Sequence, residues 1–183
     1  MLPANVEREI EAAAAIRDLQ ARVRRLETLE QAGCFQLIEH QEGSTFSTFT
    51  VPANYRHLYM VFSVAALSSP VGDSVGIRFN SDTGANYKWI SRVVTQATET
   101  TANDDASTFA IVGVEGFSTL QHNAGFALIP DYLDTTKYKS WIAESFSLSY
   151  FLWKGGGSWQ NTSAISSIDV PGTFLSNSVV SLY

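Results

Sequence analysis

Asp82-Thr83-Gly84 is the stretch of this chain nearest to a catalytic signature. Two such aspartates sharing a proton, supplied by an oligomer, would make an aspartic-protease dyad. Those enzymes place apolar residues directly before the Asp on a buried strand, whereas Asn80-Ser81 precede it here, which is turn chemistry. Asn and Asp cap their own backbone, and Gly84 is the residue expected to accept a positive φ. On that reading Asp82→Asn keeps an acceptor of the same shape and should cost well under about 1 kcal/mol. Asn80, Asp82 and Asp73 also carry oxygens of the kind calcium binds, but their spacing fits no EF-hand loop.

The remaining motifs carry less. In Lys154-Gly155-Gly156-Gly157-Ser158 the Lys precedes the glycines instead of following them, so the run is read as a flexible turn, not a phosphate loop. Asn161-Thr162-Ser163 matches a glycosylation sequon, which has meaning only in a secreted eukaryotic protein. His40, His57 and His122 lack local carboxylate partners, and no acid pair stands at a spacing suited to glycoside hydrolysis. The chain is therefore read as a non-enzyme with no catalytic residue, cofactor or metal. Trp89, Trp141, Trp153 and Trp159, with Tyr132 and Tyr138, have faces that could stack on sugar rings. Most large aromatics of a β domain are core. Tyr132 and Tyr138, in a long loop, and Trp159, beside the glycines, are the ones expected at the surface as glycan contacts.

Two unlike segments must position these residues. Every Phe, Trp and Tyr lies beyond position 34, and the N-terminal segment is dense in Glu, Arg and Ala. Residues 1–33 are predicted to form a helix that starts near the N-cap Asn5 and ends at Gly33, a length of about 42 Å at 1.5 Å per residue. Ile16, Leu19, Val23 and Leu26 follow the 3-4-3 spacing of a coiled-coil seam. In that register Arg22 falls at g and Glu27 at the following e, so the two can pair between parallel chains. The pattern resembles the trimerisation motif of three-stranded coiled coils, in which the Arg stem covers the neighbouring core. Trimer is the expectation. Branched residues at a with Leu at d would by themselves lean towards a dimer, and a lone helix docked on its own domain is the plainer alternative.

Residues 34–183 are long enough for one domain with a single buried core. Strands are expected at 34–40, 46–51, 58–67, 75–79, 87–94, 109–114, 145–153, 164–170 and 179–183, with long loops at 95–108 and 129–138. This predicts a mainly β protein: a coiled-coil stalk followed by an antiparallel β-sandwich, a jelly roll above all. The net charge of −6 carries no basic cluster, which argues against a nucleic-acid partner. No apolar run reaches the roughly 20 residues that span a bilayer, so membrane insertion is not expected. The single Cys34 leaves no intrachain disulfide and points to assembly in a reducing cytoplasm.

Val51-Pro-Ala-Asn-Tyr-Arg-His-Leu58 and Gly76-Ile-Arg-Phe-Asn-Ser-Asp-Thr-Gly-Ala-Asn-Tyr87 resemble a β module that recurs in virion proteins of tailed bacteriophages. Trp159 to Ile168 and Ser178 to Tyr183 have the same look, although members of that family often run one or more residues past the closing Leu-Tyr. Only the Arg78–Tyr87 stretch is distinctive. The resemblance implies a virion location and a structural or host-contacting role, with other virion proteins as partners, and it brings no catalytic residue. The expected function is a trimeric capsid- or tail-attached appendage or decoration protein. The alternative is a tail-fibre module that binds host-surface polysaccharide.

Overall fold

The computed structural model describes residues 36–68, 74–95, 97–114, 123–147 and 151–183. The chain divides into two units between Gln36 and Leu37. The seam residues Ile16, Leu19, Arg22, Val23, Leu26 and Glu27 lie outside the described residues, and so do Asp73 and His122.

Among the described residues the second unit is built of β1 (Glu39–Glu42), β2 (Phe49–Thr50), β3 (His57–Val64), β4 (Ala66–Ser68), β5 (Ser74–Phe79), β6 (Tyr87–Val94) and β7 (Glu99–Ser107). It continues through β8 (Ala110–Val114), β9 (Asn123–Pro130), β10 (Lys139–Ser147), β11 (Phe151–Trp159), β12 (Ser167–Asp169), β13 (Thr173–Phe174) and β14 (Val179–Leu182). No helix occurs among these residues. A large sheet runs β1-β14-β3-β9-β10-β11-β6-β7, a smaller one runs β2-β12-β5-β8, and β13 pairs with β4. The strand pairs in all three are antiparallel. β8 packs across β9, β10 and β11, so the two sheets face each other as a sandwich. The indole N–H of Trp141 on β10 donates to the Ile111 carbonyl on β8 at 3.1 Å, a buried bond from sheet to sheet.

Alternation decides which face is core. Along β10, Lys139, Trp141, Ala143, Ser145 and Ser147 are buried, and the residues between them are exposed or half-exposed. Phe79, Tyr87, Trp141 and Trp159 form one aromatic cluster with centroid separations of 5.6 to 6.4 Å. The Lys154–Ser158 run is not a turn. It lies inside β11, paired on both sides, with Gly157 opposite Trp141 on β10 and Trp89 on β6. A Cβ at Gly155 would meet the Trp153 ring at 2.5 Å, and one at Gly157 would meet the Trp141 ring at 2.7 Å. The glycines are there because two indoles lie over them.

Three expected elements also change. The 95–108 loop contains β7, an edge strand exposed on nearly every residue, so no apolar alternation marks it. Its Asp104 and Asp105, and the register shift beside them, suit an edge that must not pair with other chains. The 145–153 strand is divided between β10 and β11, which are antiparallel neighbours. The 58–67 strand breaks at buried Ala65, where the chain leaves the large sheet to pair with β13.

Candidate functional site

The distinctive Arg78–Tyr87 segment is the corner between β5 and β6, and its residues hold the fold together. Asn80 and Ser81 both have left-handed φ, at 53° and 54°. The Asp82 N–H closes onto the Phe79 carbonyl at 3.0 Å. Two left-handed central residues are the pattern of a type I′ turn, here at a corner between the two sheets and not in a hairpin, since β5 and β6 do not pair. The Asn80 side chain then clamps the strand beyond: Oδ1 accepts the Ser166 and Ser167 amides, and Nδ2 donates to the Ala164 carbonyl. Gly84 does not have the positive φ expected of it. It is glycine for space, since a Cβ would sit 2.6 Å from the Asn86 amide nitrogen.

Asp82 is bound more tightly than a surface turn requires. Its carboxylate accepts the Gly84 amide at 2.8 Å, the Asn86 side chain at 2.9 Å and the indole N–H of buried Trp159 at 2.7 Å. Burial pushes the carboxyl up, but these donors outweigh it and hold its pKa below the ordinary value. Asp82→Asn therefore turns an NH2 towards one of three donors and leaves that donor unsatisfied. The cost should be about 1–3 kcal/mol, not the small loss expected from turn chemistry alone. Denaturant midpoints of the two proteins measure it, and a loss under about 0.5 kcal/mol would mean that the Trp159 bond adds nothing. As calcium ligands, Asn80 and Asp82 have oxygens already bonded to protein donors. No group of three or more His, Cys, Asp and Glu side chains among the described residues is placed to hold a metal.

Of the three aromatics expected to meet glycan, two are core. Trp159 and Tyr132 are fully buried, and only Tyr138 is exposed, at 53%. Trp159 was misjudged because the adjacent glycines are strand, so the indole alternates inward. Tyr132 was misjudged because its loop folds back: the phenol donates to the Pro52 carbonyl, and the Tyr132 carbonyl accepts the Ile165 amide.

What Tyr132 does is build a cleft. The 131–138 loop lies against the segment that follows β2, and together they border a cleft of about 650 Å3 that is widely open to solvent. Ala53, Asn54, Tyr55, Arg56, Asp131, Leu133, Asp134 and Lys137 line this space. Asp131 accepts Arg56 Nε at 3.0 Å through one oxygen and Lys137 Nζ at 3.1 Å through the other. Lys137 also meets Asp134 at 3.3 Å. Hydrogen bonds from the Thr136 hydroxyl and amide are the main cause of an Asp134 carboxyl lowered to about 2, and those from Arg56 and Lys137 hold Asp131 below the usual range. Under the loop, buried Lys139 gives its three ammonium protons to the carbonyls of Asp134, Lys137 and Thr162. The sequence offered no sign of this amine, because a lysine among polar loop residues reads as solvated.

A second surface is the outer face of the large sheet. Ladder register places Tyr59, Leu128, Ile142, Gly156 and Ile90 in one row across five strands. Val61 and Phe126 lie in the adjoining row, and Phe146 beyond it opposes Leu152. Ile90 is 64% and Ile142 58% exposed, and Gly156 between them leaves a hollow of about 380 Å3. Two ion pairs lie on this face, Lys154 with Glu144 at 3.0 Å and Arg92 with Glu99, and Lys88 is exposed beside Ile90. Large exposed apolar side chains gathered on one sheet face mark an interaction surface. Comparison with known protein families, curated proteins and solved structures finds no match for this chain.

Proposed function

We propose that this chain is a structural component of a tailed-bacteriophage virion, a homotrimeric appendage or decoration protein with a jelly-roll head. The observation that carries this reading is the apolar outer face of the large sheet, and its occupant is the neighbouring copy, met heterologously as a three-fold ring requires. The seam at Ile16, Leu19, Val23 and Leu26 would join three chains, with Arg22 paired to Glu27 of the next. In the sequence β1, an edge strand of this same sheet, begins at Glu39, twelve positions after Glu27. Trimerisation through the N-terminal segment would raise the effective concentration of the heads for one another. An exposed apolar band of this kind is suited to burial against another copy. Pairing of β1 with β14 and of β2 with β12, the two ends of the domain side by side, supports the jelly-roll reading.

The full chain is expected to sediment at about three times its monomer mass. Ile142→Glu with Ile90→Glu should shift it towards smaller species by placing six like charges in the interface. Mass spectrometry and electron-microscopy maps of virions from the source phage should then find three copies per attachment site. A full-length protein that stays monomeric at all concentrations would sink the assembly, and absence from purified particles would sink the virion role. The alternative, a host-glycan-binding module, is supported by one feature, the cleft between the two loops.

A further inference from the structure

We infer that the cleft between residues 53–56 and 131–137 is a binding site for neutral, hydroxyl-rich saccharide. The inference rests on the second reading above and is independent of the trimer.

The charge balance of the cleft selects the ligand class. Arg56 and Lys137 face Asp131 and Asp134, two cations against two anions, so no net charge remains to attract an ion. A metal ion would have to displace the Lys137 ammonium, which already lies within 3.3 Å of both carboxylates. A phosphate or uronate would meet Asp131 and Asp134 beside each cation it sought. A sugar hydroxyl fits, because it donates to a carboxylate and accepts from an ammonium or guanidinium at once. Charged partners make such bonds stronger than neutral ones. Arg56 is bonded through Nε and its side chain is 80% exposed, which leaves most of the planar fork open to a ligand. Tyr55 and Leu133 are half-buried in the same lining and offer apolar surface to the C–H face of a pyranose ring. The volume lies within the range of small-ligand sites.

The walls are also fixed in advance. Tyr132 ties the loop to Pro52, His57 Nδ1 accepts the Asp131 amide at 3.1 Å, and Lys139 gathers three carbonyls beneath. Asp131 itself sits at a left-handed φ of 47°, a region aspartate enters more readily than most residues, in a turn closed by the Asp134 amide on the Asp131 carbonyl at 3.0 Å. A rigid site loses little conformational entropy when it binds. Tyr138, although exposed, is not part of the lining.

The test titrates the full chain with maltotetraose, cellotetraose and chitotetraose as neutral probes, and with trigalacturonate and a heparin tetrasaccharide as anionic ones. Saturation-transfer NMR and calorimetry provide the readouts. At least one neutral probe should bind, and Asp134→Asn and Tyr55→Leu should each weaken it by about tenfold or more, equal to 1.4 kcal/mol. Tyr55→Leu keeps apolar bulk against the core, so a melting curve near that of the parent would show that folding survives. Asp134→Asn should also raise affinity for the anionic probes, since it leaves Lys137 less neutralised. Ile142→Ser, on the distant sheet face, should bind as the parent does. Parent protein that prefers the anionic probes would overturn the ligand class while leaving glycan binding intact. Binding of no probe would overturn the class and the glycan reading together. Binding that ignores both cleft substitutions would place the site elsewhere.

Discussion

Gly157→Ala is expected to lower the melting temperature by about 10 °C or more, or to prevent folding outright. The added Cβ would stand 2.0 Å from the Lys88 carbonyl oxygen on β6 and 2.7 Å from the Trp141 ring on β10. The first obstacle is backbone in the adjacent strand of a sheet paired on both sides, so it cannot rotate away as a side chain would. The second is an indole anchored by its bond to Ile111 and wedged against Phe79 and Tyr87. Relief requires β6 and β11 to part, with loss of ladder bonds, or Trp141 to leave the core. Either costs about 4 kcal/mol or more, a large share of the 5–15 kcal/mol that keeps a domain folded. Ser158→Ala, one residue on and facing outward, should change stability by less than about 0.5 kcal/mol. Thermal and denaturant melts of the two variants make the comparison. A Gly157→Ala protein that melts with the parent would show that this strand pair is not as close as described.

The second large effect is expected at Lys139→Met, at about 3–5 kcal/mol. Methionine matches the length and apolar stem of lysine but cannot donate. The carbonyls of Asp134, Lys137 and Thr162 would lose their shared donor in a place where the side chain is 1% exposed. Each unpaired buried acceptor costs about 1–3 kcal/mol, and some of that is recovered if water enters. The amine itself is burdened by burial, which pushes its pKa down from the usual lysine value. Its contribution is the three hydrogen bonds, and the cost of taking the ammonium out of water opposes them. Because two of the three carbonyls belong to the 131–138 loop, the variant should also become susceptible to proteolysis within that loop before it unfolds globally. Denaturant melts and limited proteolysis report on the two effects separately. A loss below about 1 kcal/mol with no new cleavage would mean that solvent reaches the ammonium in the folded protein.

The segments legible in the sequence were those whose local chemistry agrees with their place in the fold. The strand expected at Tyr87–Val94 matches both ends of β6, and Val75–Phe79 comes within one residue of β5. The turn between them could be recognised because Asn-Ser-Asp is turn chemistry whatever surrounds it. Mainly β, antiparallel architecture follows from short aromatic and β-branched runs punctuated by Gly, Pro, Asn and Asp. Composition also separated an aromatic-free N-terminal segment from the rest, because a single segment without aromatics and with much of its apolar surface in Ala cannot supply its own core.

Tertiary structure decided what depends on a distant partner. Glycines 155 to 157 have no preference for strand, and they are strand because indoles from positions 141 and 153 need the room. β7 carries no pattern of its own, since both of its faces meet water and its strand state comes from the β6 ladder. Trp159 and Tyr132 look exposed beside glycines and inside a loop, and they are buried because Asp82 and Pro52 bring partners to their polar ends. Lys139 is interior only because three carbonyls from two separate segments converge on it. The cleft likewise exists only where residues about 75 positions apart, such as Arg56 and Asp131, are brought within 3.0 Å. Local sequence sets which backbone shapes are cheap. Which polar groups are satisfied and which side chains lose water is set by long-range contacts, and those contacts place both candidate surfaces.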